Sequence, residues 1–511
     1  MKNVLNRFVP DGFTPFQGAD AIIKETSRKQ IDVKPSTNTN KLVDSVSSVF
    51  DLIPISDGMT LSFHHHLRNG DNVLNQVLSE IKHRGLKDIT LAPSAIFPIH
   101  APLVELIKNK QVTSIITNYL NGPVADAISE GHLEGLLIMD THGGRPRAIE
   151  SGELPIDVAF IALPTSDHLG NGNGIDGQSA CGTLGYAIAD LLYAKYRVVV
   201  TDHLVNVVEK IDIDGQYVDY VVNVKAIGDP QGIVSGTTKP TRDPIQLKIA
   251  RDTVKLMDAL GVIRDGMSFQ TGAGGTSLAV ALDLKQKMID RNIKGSFASG
   301  GITGFLVDMH ESGLFEKLYD VQCFDLDAVK SYQKNLNHLS MSASAYGNPF
   351  DHPVVNQLDV VILGATEIDL DFNVNVTTDS SGYLIGGSGG HSDTAYGAKL
   401  TIITTNLTKS RTSMVKDRVT TLTTPGESID CLVTERGIVV NPRRQDLLMQ
   451  LKQTKLNLLS MQDLYQHAIG MTGVPKPLAL SDRVIGVVRY RDGSVIDTLY
   501  QVGGKEHAAL S

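Results

Sequence analysis

The residues best placed to do chemistry fall in a few short runs. Gly386-Gly387-Ser388-Gly389-Gly390 leads directly into His391. A backbone without Cβ atoms approaches a ligand closely, and successive N–H groups can face a developing negative charge. Gly387, Gly389 and Gly390 are therefore candidates to contact an acyl carbonyl or its oxyanion, with His391 beside the substrate. A second glycine run is Gly272-Ala273-Gly274-Gly275. Cations come from His64-His65-His66-Leu67-Arg68 and from His142-Gly143-Gly144-Arg145-Pro146-Arg147. A guanidinium pairs with a carboxylate bidentately, so Arg68, Arg145 and Arg147 could hold an acid, with His64 as a further ligand-facing group. The plain alternatives are a glycine-rich turn and arginines in ordinary ion pairs.

Other chemistries find little support in these runs. Gly387-Ser388-Gly389 meets Ser392 at the closing position and Gly272-Ala273-Gly274 meets Ser277, so neither run is a dinucleotide fingerprint. No GxxxxGK[ST] run is present, and no nucleophile elbow is expected. On a strand His64 and His66 would share a face, but no carboxylate or cysteine cluster accompanies them, and no metal is expected. A substrate carboxylate, with a pKa of about 4, is already ionised at neutral pH and can attack a thioester without a catalytic triad. It needs an oxyanion hole, cations to hold it, and exclusion of water.

Composition sets the frame. The chain has 511 residues, 41% hydrophobic and 20% charged, enough for two or three ordinary domains. A net charge of −9 argues against nucleic acid or an anionic membrane as partner, so an anionic substrate must meet local cations. Cys181, Cys323 and Cys431 are distant from one another and odd in number, the pattern of reduced thiols. No run approaches the roughly 18 apolar residues of a membrane span. The first residues lack an apolar core with a cleavage site. Both features point to the cytoplasm.

The elements that must carry these residues alternate between strand and helix, which implies α/β layers with mainly parallel sheets. The pattern is also doubled. Asp57-Gly58-Met59 with its following strand recurs as Asp265-Gly266-Met267, and the run Asp157–Leu163 recurs as Asp359–Ala365. Two matches in the same order predict two like domains. The expected division is an arm over 1–40, a first domain over 41–235 and a second over 236–511. The second carries a C-terminal extension that reads as a hairpin around Arg491-Asp492-Gly493.

These runs also resemble a known family. The two Asp-Gly-Met openings, VVILGATEID (360–369), GGSGGHSDTA (386–395) and LVTERGIVVNPRRQDL (432–447) together resemble the CoA-transferase superfamily, and within it the citrate lyase alpha chains. PFQGADA (15–21) fits the same family. The resemblance implies two tandem CoA-transferase-like domains with the site between them. It implies exchange of the acetyl group of a carrier-bound thioester for citrate, giving a citryl thioester and acetate. The implied partners are a beta (lyase) and a gamma (acyl carrier) subunit in an oligomer. The CoA-like prosthetic group belongs to the carrier, with CoA or acetyl-CoA as an analogue, and no cofactor is attached to this chain. Gly272, Gly274, Gly275, Gly301 and Thr303 would face the thioester or pantetheine.

One departure bears on mechanism. Many CoA-transferases carry a catalytic Glu where this chain reads Gly300-Gly301-Ile302-Thr303-Gly304. A covalent glutamyl thioester is therefore not expected. Glu367 is the nearest acidic candidate for the catalytic set, in an orienting or structural role. The competing functions on the same fold are a free-CoA transferase or an acyl-CoA hydrolase, and a non-catalytic assembly subunit.

Overall fold

Each half begins with the same turn. In this computed structural model, which describes residues 1–21, 32–234, 241–272, 274–475, 478 and 480–503, Asp57 accepts a hydrogen bond from Lys87 N–H at 2.8 Å. Asp265 accepts from Lys294 N–H at 2.9 Å. Gly58 and Gly266 follow with φ of +81° and +76°, a region that favours glycine. The chain then enters Thr60–Phe63 in the first half and Ser268–Thr271 in the second. A second aspartate tethers each strand: Asp157 accepts from Thr60 N–H at 2.9 Å and Asp359 from Ser268 N–H at 3.0 Å. The repeat in sequence is thus a repeat of turn chemistry and strand anchoring.

The sheets match as well. In the first, Tyr220–Asn223, Tyr196–Thr201, Val158–Leu163, Thr60–Phe63, Ile89–Pro93, Val112–Thr117 and Leu137–Met139 lie side by side, all parallel. In the second, Cys431–Thr434, Leu400–Thr404, Val360–Gly364, Ser268–Thr271, Gly295–Ile302, Phe315–Cys323 and His338–Ser340 repeat that order, also parallel. A parallel strand covered on both faces reads as an unbroken apolar run. Val158–Leu163, VAFIAL, is buried at every position. Helices Val73–Arg84 and Gly275–Asp290 follow the two leading strands and pack against the sheets through their apolar faces.

The C-terminal hairpin departs from the expected division. Leu480–Arg489 and Val495–Val502 join the first sheet, where Gly486–Val488 pairs in parallel with Leu137–Met139. Chain order placed this hairpin with the second half. The open edge of Leu137–Met139 recruits it instead, since an edge strand offers unpaired N–H and C=O groups. The expected boundary between 235 and 236 lies outside the described residues.

The N-terminal arm then closes over the hairpin. Asn3 Nδ2 donates to Val495 O (3.1 Å) and Ile496 O (2.8 Å), and Arg7 pairs with Asp497 at 3.2 Å. Arg7 also donates to Val419 O in the second half at 2.8 Å. The two ends of the chain meet and straddle both halves.

Candidate active site

In open parallel sheets ligands bind beyond the carboxyl ends of strands. Here one cavity, about 240 Å³, collects such ends from both halves. The first half contributes His65 and Arg68 after Thr60–Phe63, Phe97 after Ile89–Pro93, Tyr119 after Val112–Thr117, and His142 after Leu137–Met139. The second contributes Gln270–Gly272, Gly301, Gln322 and Phe324, with Tyr346 and Gly389–His391.

Arg68 is the cation of this cavity. Its backbone sits at φ +52°, and its guanidinium stacks between Phe97 (5.6 Å to the ring centre) and Phe324 (4.8 Å). Nη1 is buried without a hydrogen-bond partner, and no carboxylate pairs with the side chain among the described residues. Burial lowers its pKa, yet a guanidinium remains charged. A partly buried cation with no carboxylate partner suits an anion from outside the protein.

The histidines do not share that charge. Burial holds His65 well below the usual imidazole range, with His142, Arg68 and His64 nearby adding to the effect. Burial likewise holds His142 at about 3 and His391 at about 4. His65 Nδ1 lies 2.6 Å from Ser94 Oγ. His391 has both nitrogens engaged, Nδ1 with Thr424 Oγ1 (2.8 Å) and Nε2 with Gly364 O (3.0 Å). It acts as a neutral wall.

His64, expected to face the ligand, is turned away. Its Nδ1 meets His66 Nδ1, and its Nε2 accepts from Ala162 N–H at 2.9 Å. The alternation of an extended segment puts His64 and His66 on one side and His65 on the other.

Arg145 and Arg147 are buried but do not line the cavity. Arg145 donates to both oxygens of buried Asp190 at 3.1 Å and to Ser62 Oγ at 2.6 Å. Arg147 pairs with Glu153 at 2.8 Å. Both sit on the short helix Gly144–Glu150, which turns them into the protein interior.

Glu367 also lies away from the cavity. It accepts from Ser380 Oγ (2.6 Å), Asn375 Nδ2 (3.0 Å) and Thr420 N–H (2.8 Å), with Lys416 at 3.6 Å. It organises the loop over 367–380.

The glycines divide. Gly389, Gly390, Gly272 and Gly301 line the cavity; Gly387, Gly274, Gly275 and Thr303 do not. Gly387 packs where a Cβ would lie 2.3 Å from Asn118 O. Gly274 and Gly275 start the helix Gly275–Asp290, and Thr303 precedes Gly304–Glu311. The N–H of Gly389 is taken by Asn118 O at 3.2 Å, and Gly389 O accepts from His142 N–H at 2.8 Å. The loop is thus stitched to the first half. Gly390 N–H has no acceptor among the described residues, which leaves it for a ligand.

The seam around this loop is polar and buried. Asp393 accepts from Thr141 Oγ1 and Gly143 N–H, each at 2.9 Å, with Arg491 Nε 3.6 Å away. Burial raises its pKa to about 6, opposed by Arg491.

Sequence reasoning offered the histidine run without separating His65 from His64, which strand alternation could have done. It did not single out Phe97, Tyr119, His142, Gln270, Phe324 or Tyr346, which come from separate elements with no shared motif. It also overlooked that Asp320, Cys323 and His338 converge, close enough to hold a cation. These groups already satisfy one another: Asp320 Oδ2 takes the Cys323 thiol and the His338 ring N–H, each at 3.0 Å.

Two like α/β halves facing one another across a glycine-lined cavity at their strand ends make a CoA-transferase-like fold. The solved malonate decarboxylase alpha subunit from Acinetobacter baumannii shares this fold at 14% identity, with a TM-score of 0.62 over 86% of this chain and 85% of that one. The model of the citrate lyase alpha-subunit family matches residues 39–502. The citrate lyase alpha chain of Klebsiella pneumoniae is 44% identical over 500 residues, covering 97% of each chain. That of Escherichia coli is 44% identical, covering 94% of each. A citrate lyase alpha subunit from Streptococcus mutans, solved in complex with citrate, is 42% identical with a TM-score of 0.95, over 98% of this chain and all of that one.

The chain belongs to the citrate lyase alpha-subunit family, the citrate:acetyl-carrier-protein transferase of that enzyme. No described helix is long and apolar enough to cross a membrane.

Proposed function

We propose that the cavity brings a citrate carboxylate and a carrier-borne acetyl thioester together with no covalent intermediate on the protein. The observation that carries this reading is Arg68. It is an unpartnered guanidinium between two aromatic rings, in a cavity whose lining, among the described residues, includes no Asp or Glu. An anion held by Arg68 would supply the only carboxylate there. Its oxygen attacks the thioester carbon, the C–S bond breaks, and acetyl-citryl anhydride forms. The departed thiolate then attacks the citryl carbonyl of the anhydride and releases acetate. Neutral walls from His65, His391 and Phe97 exclude water, which protects the anhydride.

The thioester arrives on the CoA-like group of an acyl carrier (gamma) subunit, and the citryl product passes to a beta (lyase) subunit in a cytoplasmic complex. Citrate in the Streptococcus mutans relative supports citrate as the acid here.

Arg68→Ala tests the reading. The KM for citrate should rise by about 10- to 100-fold, the loss of a charge-assisted bidentate contact, with an unchanged thermal midpoint. An unchanged KM would exclude Arg68 as the citrate cation. Trapping with hydroxylamine or borohydride after acetylated carrier is added should leave the enzyme active; inactivation would show a covalent acyl-enzyme.

A further inference from the structure

Two glycines, one in a strand and one in a loop, clear space for two polar side chains of the second half. A Cβ on Gly390 would lie 2.2 Å from Tyr346 Oη, and one on Gly300 would lie 2.7 Å from the Gln270 amide. Gly300 has φ +106° and sits at a register shift in Gly295–Ile302, so the strand bulges where Gln270 passes. Into this space Ser299 Oγ donates to Gln270 Oε1 at 3.0 Å, and Gln270 Nε2 donates to Tyr346 Oη at 2.8 Å.

The direction of this relay matters. Ser299 fixes the Gln270 amide, and the amide makes the Tyr346 oxygen an acceptor. The hydroxyl proton of Tyr346 is then left over, and no acceptor takes it among the described residues. Tyr346 is 3% exposed, lines the cavity, and lies against Gly390, whose N–H is also unengaged. The two unengaged donors thus belong to adjacent residues on the lining of the cavity that Arg68 also lines.

We propose that Tyr346 is a catalytic residue whose hydroxyl, with Gly390 N–H, stabilises the thioester oxyanion, and that Gln270 is its positioning residue. This rests on the reading of the cavity as the site of acetyl thioester and citrate. As a citrate oxygen bonds to the thioester carbon, the carbonyl π pair moves onto oxygen, and both donors shorten toward it. Collapse restores the carbonyl and expels the thiolate. Tyr346 keeps its proton throughout, so the step balances with no base. The return attack on the citryl carbonyl uses the same pair. Donors fixed before charge develops are worth most where water is excluded. This assigns the oxyanion role partly to a side chain that the Gly386–Gly390 loop was expected to fill alone.

The test is citrate-dependent acetate release from acetylated carrier by the full-length chain, with Tyr346→Phe and Gln270→Leu. Tyr346→Phe should lower kcat by about 100-fold or more, the scale of a lost oxyanion donor, while the KM for citrate and the thermal midpoint stay put. Gln270→Leu should lower kcat by at least about 10-fold with the same unchanged KM, which a loss of packing alone would not give. A fall of less than about 10-fold in Tyr346→Phe overturns the proposal. Should that variant not fold, Gln270→Leu decides at the same threshold. A wild-type chain that releases no acetate on citrate addition breaks the underlying reading and this proposal with it. An active wild type with an unimpaired Tyr346→Phe breaks only the present inference.

Discussion

The same structural position is used in opposite ways by the two halves. After Thr60–Phe63 the first half places His65 and Arg68 at the cavity. After Ser268–Thr271 the second half places Gly272, reached through Gln270 and Thr271. One loop delivers a positive charge between two rings; the other delivers neutral hydrogen bonding and clearance. On the proposed reading, the duplicated fold separates two jobs, holding an acid and holding a carbonyl.

The largest effect should come from the support beneath the cationic loop. Asp190→Ala would leave Arg145 buried without its carboxylate, a loss of about 3–5 kcal/mol for one partner of a buried pair. Urea unfolding measures it. A loss below about 1 kcal/mol, the range of an exposed pair, would erase the distinction drawn between Arg145, which holds the fold, and Arg68, which faces the ligand.

Gly390→Ala should come next and act on the neutral side. Its methyl would displace the Tyr346 hydroxyl, so kcat should fall by about 10- to 100-fold, in the range of a misplaced donor, with little change in the KM for citrate. If the KM moved instead, the two halves would not divide the work as described.

The smallest effect concerns the seam that joins them. Asp393 has a folded pKa of about 6, above an unfolded value of about 3.9. Between those values the folded chain holds a proton that the unfolded chain releases, so this group's contribution to stability falls as pH rises from about 4 to about 6. Asp393→Asn should remove that part of the slope when urea midpoints are compared near the two ends of the window. An unchanged slope would place the titration elsewhere.

Much of this was readable from the chain. The paired Asp-Gly turns and their apolar strands announced two like α/β halves, because turn geometry and strand burial are local demands on residue type. Arg68, Gly389 and Gly390, all named from the sequence, do come together on one cavity. Within the histidine run His64 was expected at the ligand whereas His65 lines the cavity, and Arg145, Arg147 and Glu367 looked available because a residue's type does not show which partner its side chain meets. The hairpin was assigned by chain order, although an open strand edge decided its place.

What the sequence alone determined was the repeat, the parallel layers and the glycine-rich run Gly386–Gly390. Tertiary structure decided which polar groups are satisfied. Arg145 has Asp190, while Arg68 stacks on Phe97 and Phe324 with no carboxylate partner among the described residues. It also decided that Tyr346 meets Gln270 across two elements. The physical reason is that a side chain's availability depends on what is packed against it, and packing is set by residues hundreds of positions away.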